Sequence, residues 1–114
     1  MSLIRIQKRV IQVLAHYLGQ VAAPTSTATV TITEVVLCPD LTLAKVYLSL
    51  LDLKGEHEPA SLLGKWLAPH RFAMQQVLAQ QLRHQVRKVP TTLCFYLDQR
   101  SLAAAQLDLL LLPT

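Results

Sequence analysis

Apolar residues near the start of the chain recur every three or four positions, at Leu3, Ile6, Val10, Val13, Leu14 and Tyr17, with Arg5, Arg9, Gln12 and His16 on the other face. That spacing predicts a helix with one buried side from about Leu3 to about Gly19, where glycine supplies a stop. After the loop Ala22-Ala23-Pro24-Thr25-Ser26 the period falls to two. Val30, Ile32 and Glu34 alternate with Thr31, Thr33 and Val35, and beyond Pro39-Asp40 the residues Ala44, Val46, Leu48 and Leu50 alternate with Lys45, Tyr47 and Ser49. Alternation with β-branched and aromatic enrichment predicts a hairpin, with strands from about Thr27 to Leu37 and from about Leu43 to Leu51 joined at Cys38-Pro39-Asp40. Val46 and Leu48 should share the core face, leaving Lys45, Tyr47 and Ser49 on the other.

Helical spacing returns beyond the loop Leu53-Lys54-Gly55-Glu56-His57. Pro59 suits the first position of a helix, where its missing N–H costs nothing. Leu62, Leu63, Trp66 and Leu67, then Phe72, Met74, Val77, Leu78, Leu82 and Val86, keep the period through residues 60–87. Pro69 interrupts it, which predicts two helices meeting around Ala68-Pro69-His70 rather than one rod. Val89-Pro90 ends the segment, Thr92 to Leu97 reads as a third strand, and Ser101 is placed to cap a short last helix through Leu102, Ala103, Ala104 and Leu107. In the order α-β-β-α-α-β a tight turn joins the first two strands and only the third needs a crossover. A doubly wound parallel sheet is thereby excluded, and the expected class is α+β, a three-stranded mixed sheet with helices on one face.

The 114 residues fit a single domain over 1–114, and 52% hydrophobic content with only 5% aromatic implies an aliphatic core rather than disorder. No apolar run approaches the roughly 20 residues of a membrane span, and the N-terminal pattern lacks a signal-peptide core, so a soluble cytoplasmic protein is expected. Cys38 and Cys94 are too few and too far apart for a zinc motif and read as two reduced thiols.

Charge changes the picture more than composition does. Residues 1–33 hold Arg5, Lys8 and Arg9 without an acid; 34–58 hold Lys45 and Lys54 against five acids; 59–97 hold Lys65, Arg71, Arg83, Arg87 and Lys88, again without an acid. Segregated cations attract polyanions, of which RNA is the commonest in a cytosol, although a merely soluble basic domain has the same composition. Little points to catalysis. His16, His57, His70 and His84 show no metal-ligand spacing, His57 between Glu56 and Glu58 reads as a solvated loop, and no glycine-rich phosphate loop is present. Neither an enzyme activity nor a cofactor or metal is expected. Trp66 and Phe72 have faces suited to stacking on bases, but at helical spacing with leucines they read as core.

Several fragments resemble one family. Thr33-Glu34-Val35 followed by Asp40-Leu41 and Ala44-Lys45-Val46-Tyr47-Leu48-Ser49 is similar to the central hairpin of ribosome-binding factor A. Lys8-Arg9-Val10 resembles the opening of that family's first helix, and Arg87-Lys88-Val89-Pro90 and Phe95 to Asp98 the entry and exit of its last strand. Gln106 to Leu110 is similar to its ending. The fragments occur in the family's order along most of the chain, while Ala23-Pro24 lacks the acid of the family's common Asp-Pro.

The resemblance implies a type II KH-like domain in which a helix kink of the form Ala-x-Gly replaces the Gly-x-x-Gly loop of KH domains. Here that slot falls near His70-Arg71-Phe72, no glycine follows Gly64, and Pro69 is placed to supply the kink. Contact with RNA should then rest on side-chain charge rather than on backbone cradling: Arg71, Arg83, Arg87 and Lys88, with Arg5, Lys8 and Arg9 as a second patch. The plain reading of Arg83 to Lys88 is a solvated helix end.

What the resemblance implies for function is a non-enzymatic assembly factor that binds the small ribosomal subunit and precursor 16S rRNA and promotes maturation and processing. Neither a membrane nor a small-molecule substrate is implied, and the free protein should be a monomer. The alternative is a protein-interaction or dimerisation domain that uses an apolar face including Leu107 to Leu112.

Overall fold

Helices form where the apolar spacing is three and four, and strands where it is two. The computed structural model describes residues 3–54, 58–83 and 92–98 and the backbone of 105–106. Helix α1 is Leu3–Gln20, strand β1 Ala28–Leu37, strand β2 Leu43–Asp52, helix α2 Pro59–Leu67, helix α3 Arg71–Leu82 and strand β3 Thr92–Leu97, with a 3-10 turn at Ala68–His70 between α2 and α3. Ala105–Gln106 add a two-residue strand, β4, at the edge of the sheet. The order is β1-β2-β3-β4, with β1 and β2 antiparallel, β2 and β3 parallel, and β3 and β4 antiparallel. The helix expected after Ser101 is therefore corrected at Ala105 and Gln106, where pairing with Leu97 and Tyr96 across the sheet overrides the local capping signal.

Helices cover the face of the sheet on which the fully buried apolar side chains gather. Ala44, Val46 and Leu48 of β2 and Leu93, Phe95 and Leu97 of β3 are buried against Ile6, Val10, Val13 and Leu14 of α1, Leu63 and Leu67 of α2, and Met74, Leu78 and Leu82 of α3. Each fully buried large side chain contributes about 1.5–3 kcal/mol relative to exposure. Lys45, Tyr47 and Ser49 point the other way, as the alternation predicts. On that face Tyr47 lies opposite Tyr96, their rings stacked at 5.1 Å between centroids and 20° between planes. Cys38 and Cys94 are both free, and Cys94 is buried.

Strand β1 does not keep one phase. Ile32 pairs with Leu48 but Glu34 pairs with Tyr47, so Thr33 is an extra residue, a β-bulge. The insertion brings Val35 and Leu37 to the core face, both buried, while Glu34 is exposed. Grouping Glu34 with Val30 and Ile32 by strict alternation is thus corrected. The bulge is held by its own side chain: the Thr33 hydroxyl lies 2.6 Å from Asp98 Oδ2 and 3.2 Å from the Tyr47 carbonyl. Its single proton goes to the carboxylate, the shorter and charge-assisted bond. Asp98 also donates its backbone N–H to the Leu48 carbonyl at 2.7 Å. The end of β3 is thereby fastened to both other long strands.

At the tip of the hairpin the turn runs from Cys38 to Thr42. Leu41 has φ of 62°, the left-handed region, which costs a non-glycine residue roughly 1–2 kcal/mol. Packing of its side chain against the core and the 2.8 Å bond from its N–H to the Cys38 carbonyl offset that cost. Asp40 Oδ1 closes the turn, accepting from the Thr42 N–H at 3.1 Å and hydroxyl at 2.8 Å.

Candidate nucleic-acid interface

Four consecutive residues of α1 show how the helix presents charge. Gln7 Oε1 accepts the Leu37 N–H at 3.0 Å, closing a donor at the edge of β1. Lys8 is exposed, Arg9 is half-buried, and Val10 is fully buried. Arg5 lies one turn before Arg9, about 6 Å along the axis, so Arg5, Lys8 and Arg9 form a stripe beside the buried face. No acid lies on this helix.

Helix α3 runs antiparallel to α1, and this decides which cations meet. Tyr17, near the end of α1, reaches His70 at the start of α3, its hydroxyl 3.0 Å from Nδ1. Arg9, eight residues earlier on α1, donates from Nη2 to Gln81 Oε1 at 3.4 Å near the end of α3. Arg83, the C-cap of α3, is two residues beyond Gln81 and exposed. Arg5, Lys8, Arg9 and Arg83 are thereby drawn to one end of the helical layer. Arg71 begins α3, about 18 Å from Arg83 along the helix. Arg87 and Lys88 lie outside the described residues, as do His57, His84 and Leu107 to Leu112.

Electrostatically the layer is one-sided. Neither α1 nor α3 carries an Asp or Glu, and the carboxylate at α2 is its N-cap Glu58, which accepts from the Ala60 and Ser61 N–H groups at 3.2 and 2.7 Å. Arg9 is met by neutral amides at long distance, Gln12 and Gln81, both at 3.4 Å, and its Nε is shielded from water without a partner. Bonds of that length sit at the weak end of the range and exchange readily for a phosphate oxygen. Arg71 Nε is likewise shielded and unpartnered, its stem packed down. Arg83 gains in addition from the negative end of the α3 dipole, about 0.3–1 kcal/mol.

The break between α2 and α3 falls where Pro69 dictates. The Ala68 N–H still bonds the Gly64 carbonyl in the α pattern, Pro69 has no N–H, and the Arg71 N–H bonds Ala68 one residue short. No described non-glycine residue other than Leu41 has positive φ, and His70 sits at φ −97° and ψ −9°, so this kink needs no glycine. Aromatic rings brace it. The His70 ring packs edge-on against Tyr17 at 5.8 Å and Trp66 at 5.9 Å, and Trp66 Nε1 donates to the Ala22 carbonyl at 2.7 Å. Trp66 is the chain's single tryptophan and reports on the kink. Pro69→Ala restores an N–H able to bond Lys65, so the α geometry should extend and the Trp66 emission should shift; unchanged emission in a folded variant would show that ring packing alone sets the bend.

Phe72 corrects another expectation. Only two residues before Met74, it lies about 200° around the helix from the buried row Met74, Leu78 and Leu82, and it is 64% exposed. The exposed companions Lys65, Pro69 and Gln76 at helical spacing are the signal that marks its side of the helix as outward. Trp66 is half-buried against the core, as its spacing implies. Among the described residues no three His, Cys, Asp or Glu side chains come together as a metal site, and no helix is long and apolar enough to cross a membrane.

The chain has relatives over most of its length. A family model described as ribosome-binding factor A matches residues 2–111. The ribosome-binding factor A of Chlorobium chlorochromatii (strain CaD3) is 36% identical over 97 residues, covering 82% of this chain and 75% of the relative. That of Prosthecochloris aestuarii (strain DSM 271 / SK 413) is 34% identical over 88 residues, covering 77% and 69%. In fold, the crystal structure of ribosome-binding factor A from Thermus thermophilus superposes with a TM-score of 0.65 at 17% identity, covering 84% of this chain and 94% of that one. The α+β architecture, with its mixed sheet, single helical layer and kinked helix pair, is consistent with a KH-like fold. The chain belongs to the ribosome-binding factor A family.

Proposed function

We propose that the protein is a non-enzymatic assembly factor, a single KH-like domain that docks on the small ribosomal subunit and its precursor 16S rRNA in the cytoplasm and promotes their maturation and processing. The free protein is a monomer in this reading. The observation that carries it is the acid-free layer formed by α1 and α3, with Arg5, Lys8, Arg9 and Arg83 gathered at one end. The names of the relatives, ribosome-binding factors, support the same target. Arg87 and Lys88 follow Arg83 in sequence and would extend the same charge. Phosphate contacts made by side chains position a protein on RNA without reading bases, which suits recognition of a folded ribosomal surface.

Salt dependence tests the reading. Binding of the full chain to purified small subunits, measured across a salt series, should weaken with a log–log slope of about −3, since roughly four phosphate contacts each release a condensed counterion. An apolar protein interface would instead hold or strengthen in salt. A flat or rising profile would sink the RNA-binding reading and put the protein-interaction alternative in its place.

A further inference from the structure

The outer ridge of α2 and α3 continues across the kink. Lys65, Pro69, Phe72, Gln76, Gln80 and Arg83 are all exposed, and they follow one another at three- and four-residue steps, which keeps them on one side of the helix pair. A cation stands at each end, Phe72 and Pro69 lie between, and no acid interrupts the ridge. Leaving a phenylalanine ring 64% in water forfeits most of what its burial would contribute, so the position is poor for stability alone. Leu51 and Leu53 are exposed as well, but they flank Asp52 in the most acidic part of the chain. Ile4 on the acid-free helix α1 is equally exposed but carries no ring, so among the described residues Phe72 is the exposed aromatic side chain in a purely cationic setting.

That combination fits one class of ligand. Single-stranded RNA presents phosphates to cations and unpaired base faces to an aromatic ring, whereas in a duplex the base faces are stacked on one another and unavailable. We propose that Phe72 is a stacking platform for an unpaired RNA base, with Lys65 and Arg83 holding the phosphates on either side. The proposal rests on the RNA-binding reading of the helical layer and narrows it: of the RNA reached by this face, the part at the kink is single-stranded. Pro69, also exposed, precedes Phe72 by three residues on the same ridge.

The test uses the full chain with Phe72→Ala, Phe72→Leu and Phe72→Tyr, and two probes, a short single-stranded adenosine–uridine oligoribonucleotide and a hairpin duplex of the same composition. Because the ring is exposed, all three variants should fold, with circular dichroism as the control. Alanine and leucine should each weaken single-strand binding by about 5- to 150-fold, tyrosine should retain it, and duplex binding should be unchanged in all. Equal single-strand affinity across the variants, with the salt slope of the wild type intact, would overturn the stacking site and leave the charged layer standing. If leucine matched phenylalanine in binding small subunits while alanine did not, the side chain would make an apolar protein contact instead. Failure of the wild type to bind either probe or the subunit would overturn both the stacking site and the RNA-binding reading.

Discussion

Reversing Arg5, Lys8 and Arg83 to glutamate together should lower affinity for the small ribosomal subunit by at least about 3 kcal/mol, roughly 150-fold, at about 1 kcal/mol for each phosphate no longer engaged. The salt slope should flatten by about one for each of these phosphates. The three residues are chosen because all are exposed, so the fold should persist. Arg9 is left in place because its stem is half-buried and its bond to Gln81 joins α1 to α3. Equilibrium binding across a salt series, with thermal melts beside it, separates loss of the site from loss of the protein. Wild-type affinity in the folded triple variant would remove this end of the helical layer from the interface.

The second large effect concerns stability. Thr33→Val and Asp98→Ala should each destabilise the protein by about 1–3 kcal/mol, since each removes one side of a short charge-assisted bond and strands a half-buried partner. At roughly 4–8 °C per kcal/mol for a domain near this size, the melting temperature should fall by about 10 °C. A double-mutant cycle should return a coupling of about 1–2 kcal/mol, because the two groups act on each other directly. Single variants that melt like the wild type would mean that the bulge is held by strand register and core packing alone. Asp98→Asn offers a finer probe, keeping an acceptor for the Thr33 hydroxyl while removing the charge.

Much of the fold is legible from periodicity, and its failures have identifiable causes. The spacing of Ile6, Val10, Val13 and Leu14 marks the buried face of α1, and the alternation of Ala44, Val46 and Leu48 gives that of β2, because each element obeys one period throughout. Strand β1 obeys one period in two phases. Nothing local announces that Thr33 is unpaired; the partner that makes it a bulge, Asp98, is sixty-five residues away. Ala105 and Gln106 are strand for the same reason, a pairing partner in β3 rather than a propensity of their own. Pro69 is readable as a break because its effect, a missing donor, is written into the residue. The candidate site is legible residue by residue and not as a group. Arg9 and Arg83 are far apart in sequence, and only the antiparallel packing of α1 on α3 brings them to one end.

The parallel pairing of β2 with β3 has a consequence for the order in which the protein can assemble. The β1–β2 hairpin and α1 need only neighbouring sequence, so they can form as soon as residues through Asp52 are synthesised. One edge of β2 then stays open, with unpaired N–H and C=O groups along Leu43 to Leu48, until α2 and α3 have followed and Thr92–Leu97 arrives. Long-range closure of this kind is slow, and an open strand edge in the meantime is a template for pairing with other chains. The short strand β3 therefore acts as the latch of the fold. During synthesis, the interval before it engages is when the chain is most exposed to aggregation.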